Sequence, residues 1–376
     1  MTGSTPGSPP RLLLIGFRPG AGGIGRVMIN LINGFARRGI EVHLALPPGD
    51  YPELSRAVAG VRTHYLEARD DATGVRRLRE FLERLDPRAV LANRDNARSL
   101  LARTTPGLAR RPLIAFRIGI HIPAKLRHKN PLGRWRACRE LARAYRSADL
   151  LIGNSRGVCE GLHELLGDRS PPIHAIYNPL DLATLRQQAR ESPRHPWFRE
   201  PGAPLLVSVG RLAGMKDQAT LLRAFARLPS DYRLVILGEG RQRRKLEALA
   251  ERLGVAERFD LPGHVANPFP YLARADLFVL SSRFEGSPNA LMEALAVGTP
   301  AVATDCPSGP REILADGRYG ALVRVGDPET LAEAIEQTLA RPPSPELLRQ
   351  AVERFDLEQA VTAYLRVMGL THPEEA

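Results

Sequence analysis

Residues Pro204–Phe225 read PLLVSVGRLAGMKDQATLLRAF. The opening run is apolar almost throughout and closes on a glycine, which marks a strand covered on both faces, as in a parallel sheet. A loop with Arg211 and Lys216 follows, and then a helical segment. The same rhythm continues through RLVILGEG, FDLPG, DLFVLSS, PAVAT and GALVRVG, with helices between most of these runs. The first half alternates likewise: RLLLIGF precedes a helix from about Ile24 to Arg38, and EVHLAL, AVLAN, LIAFRIG, DLLIGNS and IHAIYN follow. Each half therefore reads as a doubly wound α/β domain. Ligands of such sheets sit outside the carboxyl ends of the strands, so two of them face to face would enclose a deep cleft.

The expected domains are residues 11–185 and 200–355, both Rossmann-like. The stretch 186–199, rich in proline, reads as a linker. Residues 1–10 read as a loose tail, and a final helix over about 357–370 is expected to pack back on the first domain. The 376 residues exceed one ordinary core. A hydrophobic content of 43% excludes general disorder. No apolar run reaches the length of a membrane span, and Cys138, Cys159 and Cys306 offer neither a disulfide framework nor a zinc spacing. A reducing cytoplasm is the simplest setting.

The net charge of +12 is unevenly placed. Residues 1–188 hold 30 Lys+Arg against 16 Asp+Glu, whereas residues 189–376 hold 23 against 25. Between Arg94 and Arg146 there are 14 basic residues and only Asp95 and Glu140 as acids. With four lysines among 53 basic residues, an Arg-rich genome explains the choice of Arg but not its concentration in one half. An anionic partner for the first half follows.

FEGSPNALMEALAVGTP, Phe284–Pro300, contains a short greasy helix with one carboxylate, Glu293, in its middle. Ser287 is expected to cap it, Pro288 to take its first position, and Gly298 to close it. A buried lone carboxylate needs a polar partner. The N–H groups of Asn289, Ala290 and Leu291 would make an anion site at the helix start, with Glu285 just before it. Arg211 and Lys216, on a loop at a strand's carboxyl end, suit a diphosphate. Gly20, Gly22, Gly23 and Gly25 follow the first strand and allow close backbone approach. A tight strand-to-helix turn explains them equally well, and where a dinucleotide fold would place an acid at the end of the second strand, EVHLALPPGD supplies none until Asp50, after two prolines. No D-x-D occurs, so helix N–H groups and cations would hold the phosphates without a metal.

Together with VGRLAGMKD, LVILGEG, LPGHV, TDCPSGPREIL and GRYGALVRVGD, the E-x7-E pattern Glu285–Glu293 resembles retaining glycosyltransferase family four, of GT-B fold. The likeness is specific over residues 205–328 and looser before them. It points to transferases of lipid-linked oligosaccharide and surface polysaccharide assembly that use UDP-sugars. The resemblance implies that Glu293 binds the ribose and that the backbone near Val265 meets the base. Glu285 would touch the sugar. Arg211, Lys216 and the helix start at Asn289, Ala290 and Leu291 would hold the diphosphate, with Gly22 and Gly23 approaching from the opposite wall. The family's first-domain histidine maps to His121, with His128 as the alternative, although Ile122 and Pro123 depart from the usual polar neighbour.

The implied partners are a nucleotide sugar and a glycan or polyprenyl-diphosphate-linked acceptor bound by the first domain. No cofactor, metal or nucleic acid is expected. A sugar-nucleotide 2-epimerase on the same scaffold and a GDP-mannose-dependent transferase are the alternatives. KLRHKNPLGRWRACRELARAYR, Lys125–Arg146, reads as a loop and then a helix in which Trp135, Cys138, Leu141, Ala142 and Tyr145 form an apolar stripe flanked by arginines. It suggests peripheral attachment to an anionic membrane on its cytoplasmic face.

Overall fold

A computed structural model describes residues 9–17, 22–66, 72–199 and 202–371, without the side chains of 52 and 53. The chain divides into two compact units, one of residues 1–179 with 357–376 and one of residues 180–356.

The first unit holds β1 (Arg11–Ile15), β2 (Glu41–Leu46), β3 (Arg62–Tyr65), β4 (Ala89–Ala92), β5 (Leu113–Ile118), β6 (Leu150–Gly153) and β7 (Ile173–Ala175). They form one parallel sheet in the order β3-β2-β1-β4-β5-β6-β7. Its helices are α1 (Gly23–Arg37), α2 (Ala72–Leu85), α3 (Asp95–Thr104), α4 (Ile122–Leu126), α5 (Pro131–Tyr145) and α6 (Arg156–Leu166). In β1, Leu12 and Leu14 enter a core with α1, while Leu13 and Ile15 enter a core with α2, α3 and α6. Both faces are covered, which is why the strand reads as an unbroken apolar run.

The second unit holds β8 (Leu205–Val209), β9 (Arg233–Leu237), β10 (Phe259–Gly263), β11 (Leu277–Leu280), β12 (Ala301–Thr304) and β13 (Ala321–Val323), in the order β10-β9-β8-β11-β12-β13. Its helices are α7 (Leu182–Gln188), α8 (Gln218–Phe225), α9 (Arg243–Arg252), α10 (Phe269–Ala273), α11 (Asn289–Val297), α12 (Pro310–Ile313), α13 (Pro328–Ala340) and α14 (Pro345–Gln350). The sequence order reverses between β8 and β11, so this unit's topological switch lies there.

The last helix, α15 (Leu357–Val367), belongs to the first unit and packs on α1. Gly34 lets the two helices close up, because a Cβ there would collide with Val361. Phe35 meets Tyr364 edge to face, and Arg38 reaches Thr362 Oγ1 at 2.9 Å.

One expectation needs correction, and one strand stands outside the runs read from the sequence. Residues 186–199 are no free linker: α7 runs to Gln188, Arg194 N–H donates to Tyr271, and His195 Nε2 lies 2.7 Å from Asp260 Oδ2, which fastens the stretch to the second unit. The edge strand β3, RTHY, carries no apolar run, because Arg62 and Tyr65 stand exposed at the sheet's edge.

Candidate active site

The loop after β8 is built to hold one lysine in place. Gly214–Lys216 forms a 3-10 turn, and Asp217 follows in the left-handed conformation, φ 47°. An aspartate rests there only when its surroundings fix it. Here its Oδ2 accepts from Thr220 Oγ1 at 2.9 Å and from Arg283 Nε at 3.0 Å. Lys216's own carbonyl takes a hydrogen bond from Ser281 at 2.9 Å.

So positioned, Lys216 Nζ reaches Glu285 Oε1 at 2.6 Å, and Ser282 Oγ donates to the same oxygen at 2.6 Å. Only 18% of the lysine side chain and 8% of the glutamate's is exposed. The charge-assisted contacts offset the loss of solvation on burial. Cys306 lies close by. Burial, and then the Glu285 carboxylate, push its thiol up to about 12, so it stays protonated and unreactive.

Next to Glu285 begins α11. Ser287 was expected as its cap, but the helix starts one residue later, at Asn289, with Pro288 in the capping position and no side-chain cap. The Pro288 carbonyl takes the N–H of both Leu291 (3.1 Å) and Met292 (3.3 Å). Leu291 N–H is therefore engaged within the helix, a correction to the anion site expected from three adjacent residues. Ala290 N–H has no hydrogen bond among the described residues. Gly309, at φ 97°, lies against the entry to α11, where an added Cβ would stand 2.8 Å from the Gly286 carbonyl. Gly298 closes the helix in the left-handed conformation, and Glu293 is 3% exposed in its middle.

Arg211 is exposed on the same loop as Lys216, and its guanidinium has no partner among the described residues. Val265 lies two residues beyond β10 and is half-buried. In the first unit, Gly22 precedes α1 with an extended backbone and open space around it, and Gly23 is the helix's first residue. Gly20 lies outside the described residues. His121 Nδ1 accepts from Ala124 N–H at 3.2 Å and so caps α4, while its ring packs over Gly161 of α6. Burial holds its pKa below the usual histidine value. His128 follows α4.

The structure thus gathers Lys216 and Glu285 at the carboxyl edge of the second sheet, where Arg211 and the start of α11 also lie. It adds Ser282 and Cys306, which the sequence reading had not assigned. Each follows an apolar strand run within two residues, β11 and β12 respectively, and that position is the signal.

Two parallel-sheet Rossmann-like domains in one chain are the architecture of the GT-B class. The model for Glycosyl transferases group 1 matches residues 190–355, and that for Glycosyltransferase Family 4 matches residues 21–184. The chain belongs to the family-four-like glycosyltransferases of GT-B fold. It is 36% identical over 192 residues to the N-acetylgalactosamine-N,N'-diacetylbacillosaminyl-diphospho-undecaprenol 4-alpha-N-acetylgalactosaminyltransferase of Campylobacter jejuni, a match covering 51% of each chain. It thus spans about half the length of that relative. It is 29% identical to the lipopolysaccharide core biosynthesis glycosyltransferase LpsE of Rhizobium meliloti, over 84% of this chain and 85% of the relative. The crystal structure of HepE from Anabaena with UDP and glucose matches with a TM-score of 0.80 at 20% identity, covering 96% of this chain and all of that one.

Proposed function

We propose that this chain is a retaining glycosyltransferase that moves a hexose or N-acetylhexosamine from a UDP-sugar to a hydroxyl of a glycan or polyprenyl-diphosphate-linked acceptor in surface polysaccharide or oligosaccharide assembly. The buried Lys216–Glu285 pair at the sheet's carboxyl edge carries it. A diphosphate arriving there would draw Lys216 from its carboxylate and meet Arg211 and the Ala290 N–H. The freed Glu285 oxygen would accept from a sugar hydroxyl, and Glu293 from the ribose. As the bond from the anomeric carbon to the diphosphate breaks, charge grows on the leaving oxygen where these fixed groups point. The acceptor oxygen bonds to that carbon from the same face, and its proton passes to the departing diphosphate. No strong protein base is required.

The name of the Campylobacter relative specifies a diphospho-undecaprenol acceptor, and the HepE crystals hold UDP, which supports both substrate classes. The test is release of UDP from a panel of UDP-sugars, with and without a polyprenyl-diphosphate-linked acceptor. Acceptor-dependent release supports transfer, and an isomerised sugar without it would mean a 2-epimerase. Because cations and backbone dipoles do the neutralising, turnover is expected to persist in excess EDTA. A loss reversed by magnesium would overturn that part.

The first unit would meet the acceptor at an anionic membrane on the cytoplasmic face. Leu132 and Trp135, on the outer face of α5, are 59% and 56% exposed, and Arg139 lies over the Trp135 ring at 5.3 Å. The expected apolar stripe is split: Ala142 and Tyr145 turn into the core while Trp135 turns out. Four or five cations near an anionic leaflet would contribute roughly 1 kcal/mol each. No helix among the described residues is long and apolar enough to cross a membrane. Co-sedimentation with anionic liposomes at low salt, lost at high salt and with neutral lipid, is expected. W135A should weaken it, and equal partitioning everywhere would refute it.

A further inference from the structure

Two arginines are buried in the first unit, and they are kept differently. Arg98 is 4% exposed and has a carboxylate, Asp95 Oδ1, at 2.6 Å. Arg117 is 5% exposed and has none among the described residues. Its guanidinium donates to the Tyr364 hydroxyl at 3.0 Å, to Asn93 Oδ1 at 3.1 Å, and to Asn178 Oδ1. All three partners are neutral. Three of five N–H groups are used, and a full positive charge sits without a counter-ion among the described residues.

The amides around it have fixed orientations. Arg117 only donates, so Asn178 must offer it Oδ1. Asn154 Nδ2 donates to that same oxygen at 3.3 Å. Turning Asn154 over would set two oxygens against each other. Its Oδ1 must therefore point elsewhere, and there it is buried without a hydrogen-bond partner. An orphan acceptor in a native interior calls for a reason. By the same logic Asn93, half-buried, turns its amide nitrogen away from Arg117, with no partner for it among the described residues.

These groups lie where ligands of such sheets bind. Asn93 follows β4, Arg117 is the next-to-last residue of β5, and Asn154 follows β6, at the carboxyl ends of three adjacent strands. Exposed Gly119 covers them: a Cβ there would stand 3.4 Å from an Arg117 terminal nitrogen and 3.6 Å from Asn154 Nδ2. At that point bare backbone lies against the cluster.

We propose that Arg117, Asn93 and Asn154 form an oxyanion subsite that takes a phosphorylated sugar of the acceptor. Its phosphate oxygens lie on Arg117 and the Asn93 amide nitrogen, and a neighbouring hydroxyl or acetamido N–H donates to Asn154 Oδ1. The acceptor role rests on the glycosyltransferase reading, while the anion site itself does not. A sugar carboxylate would offer Arg117 the same chemistry, so both kinds of sugar anion enter the test.

Saturating UDP is added first to occupy the second unit's phosphate site. Its own thermal shift reports on the donor reading separately. Glucose 1-phosphate, glucuronate and inorganic phosphate are then titrated by thermal shift against the wild type, N154A and N154D. Glucose 1-phosphate is expected to stabilise the wild type more than the other two do. N154A should weaken it severalfold. N154D sets a carboxylate against the incoming phosphate and should weaken sugar phosphate at least tenfold, more than N154A does. A purely structural cluster would show no such ranking of the two variants in ligand binding. Binding by N154D within twofold of the wild type, or no response of the wild type to glucose 1-phosphate, would overturn the subsite. Stronger binding of glucuronate would overturn the phosphate assignment.

Discussion

Each sheet buries a cation at its carboxyl edge whose setting differs: Lys216 has a carboxylate partner, and Arg117 has none among the described residues. Lys216 rests on Glu285, whereas Arg117 rests on amides and a phenol. A lysine is a compact charge on a flexible stem and can leave one oxygen for another. A planar guanidinium held at three corners cannot travel. The second edge is thus built for exchange, as a group whose charge changes during reaction would require. The first is built as a fixed socket.

Removing Lys216 attacks this contrast most directly and has the largest expected effect. K216A should raise the barrier to transfer by about 2–4 kcal/mol. It should also cost stability, roughly 2 kcal/mol, since Glu285 is left buried with only Ser282. K216A/E285Q should recover the stability and none of the turnover. R211A should lose turnover with an unchanged melting temperature, because Arg211 is exposed and carries no internal partner. Turnover near wild type in both single variants would remove the donor site from this loop.

The same contrast explains what could be read from the sequence. The second site is local: Glu285 and Glu293, the latter on α11, lie within nine residues, and the loop with Arg211 and Lys216 is one strand-to-helix turn. Its pattern survives translation into one dimension. The first cluster draws Asn93, Arg117, Asn154 and Asn178 from four separate strand ends, and no spacing rule connects them. Each nonetheless stands at or just past the end of an apolar run. That position was visible, although which runs were neighbours was not. The prolines of residues 186–199 misled in the other direction, since tight turns fastened to α10 and β10 have the composition of a linker. The one-residue error at Ser287 came from Pro288, whose carbonyl opens the helix but whose own extended backbone (ψ 99°) stays outside it.

A smaller effect tests how the first edge is held. Arg117 donates to Tyr364 on α15, so the socket depends on α15 lying tight against α1. Alanine is favoured over glycine in a helix by about 1 kcal/mol. At Gly34 the added methyl would instead push against Val361. G34A should therefore destabilise the protein by about 1–2 kcal/mol, as overpacking does. It should weaken glucose 1-phosphate binding and leave the UDP shift alone. A gain in melting temperature would show that the α1–α15 contact has room to spare.

The smallest expected effect separates the units by their histidines. In the first, His43 Nδ1 lies 2.8 Å from His64 Nε2, with the rings stacked, between Glu41, Arg62 and Arg84. Burial holds both pKa values below the ordinary 6.5. In the second, His195 faces a carboxylate, Asp260. A histidine depressed in the folded state leaves stability unchanged above pH 6.5. Below it the unfolded chain binds protons that the folded chain refuses, so stability falls as the pH drops toward the folded pKa. One pH unit below 6.5 this amounts to at most about 1.4 kcal/mol per histidine. Hydrogen exchange, corrected for its intrinsic pH dependence, should show β2 and β3 losing protection between pH 7 and 5.5 while β9 and β10 keep theirs. H43Q/H64Q should flatten the difference. Equal loss in both units would mean that the acid response comes from titrating groups present in each unit, not from this pair.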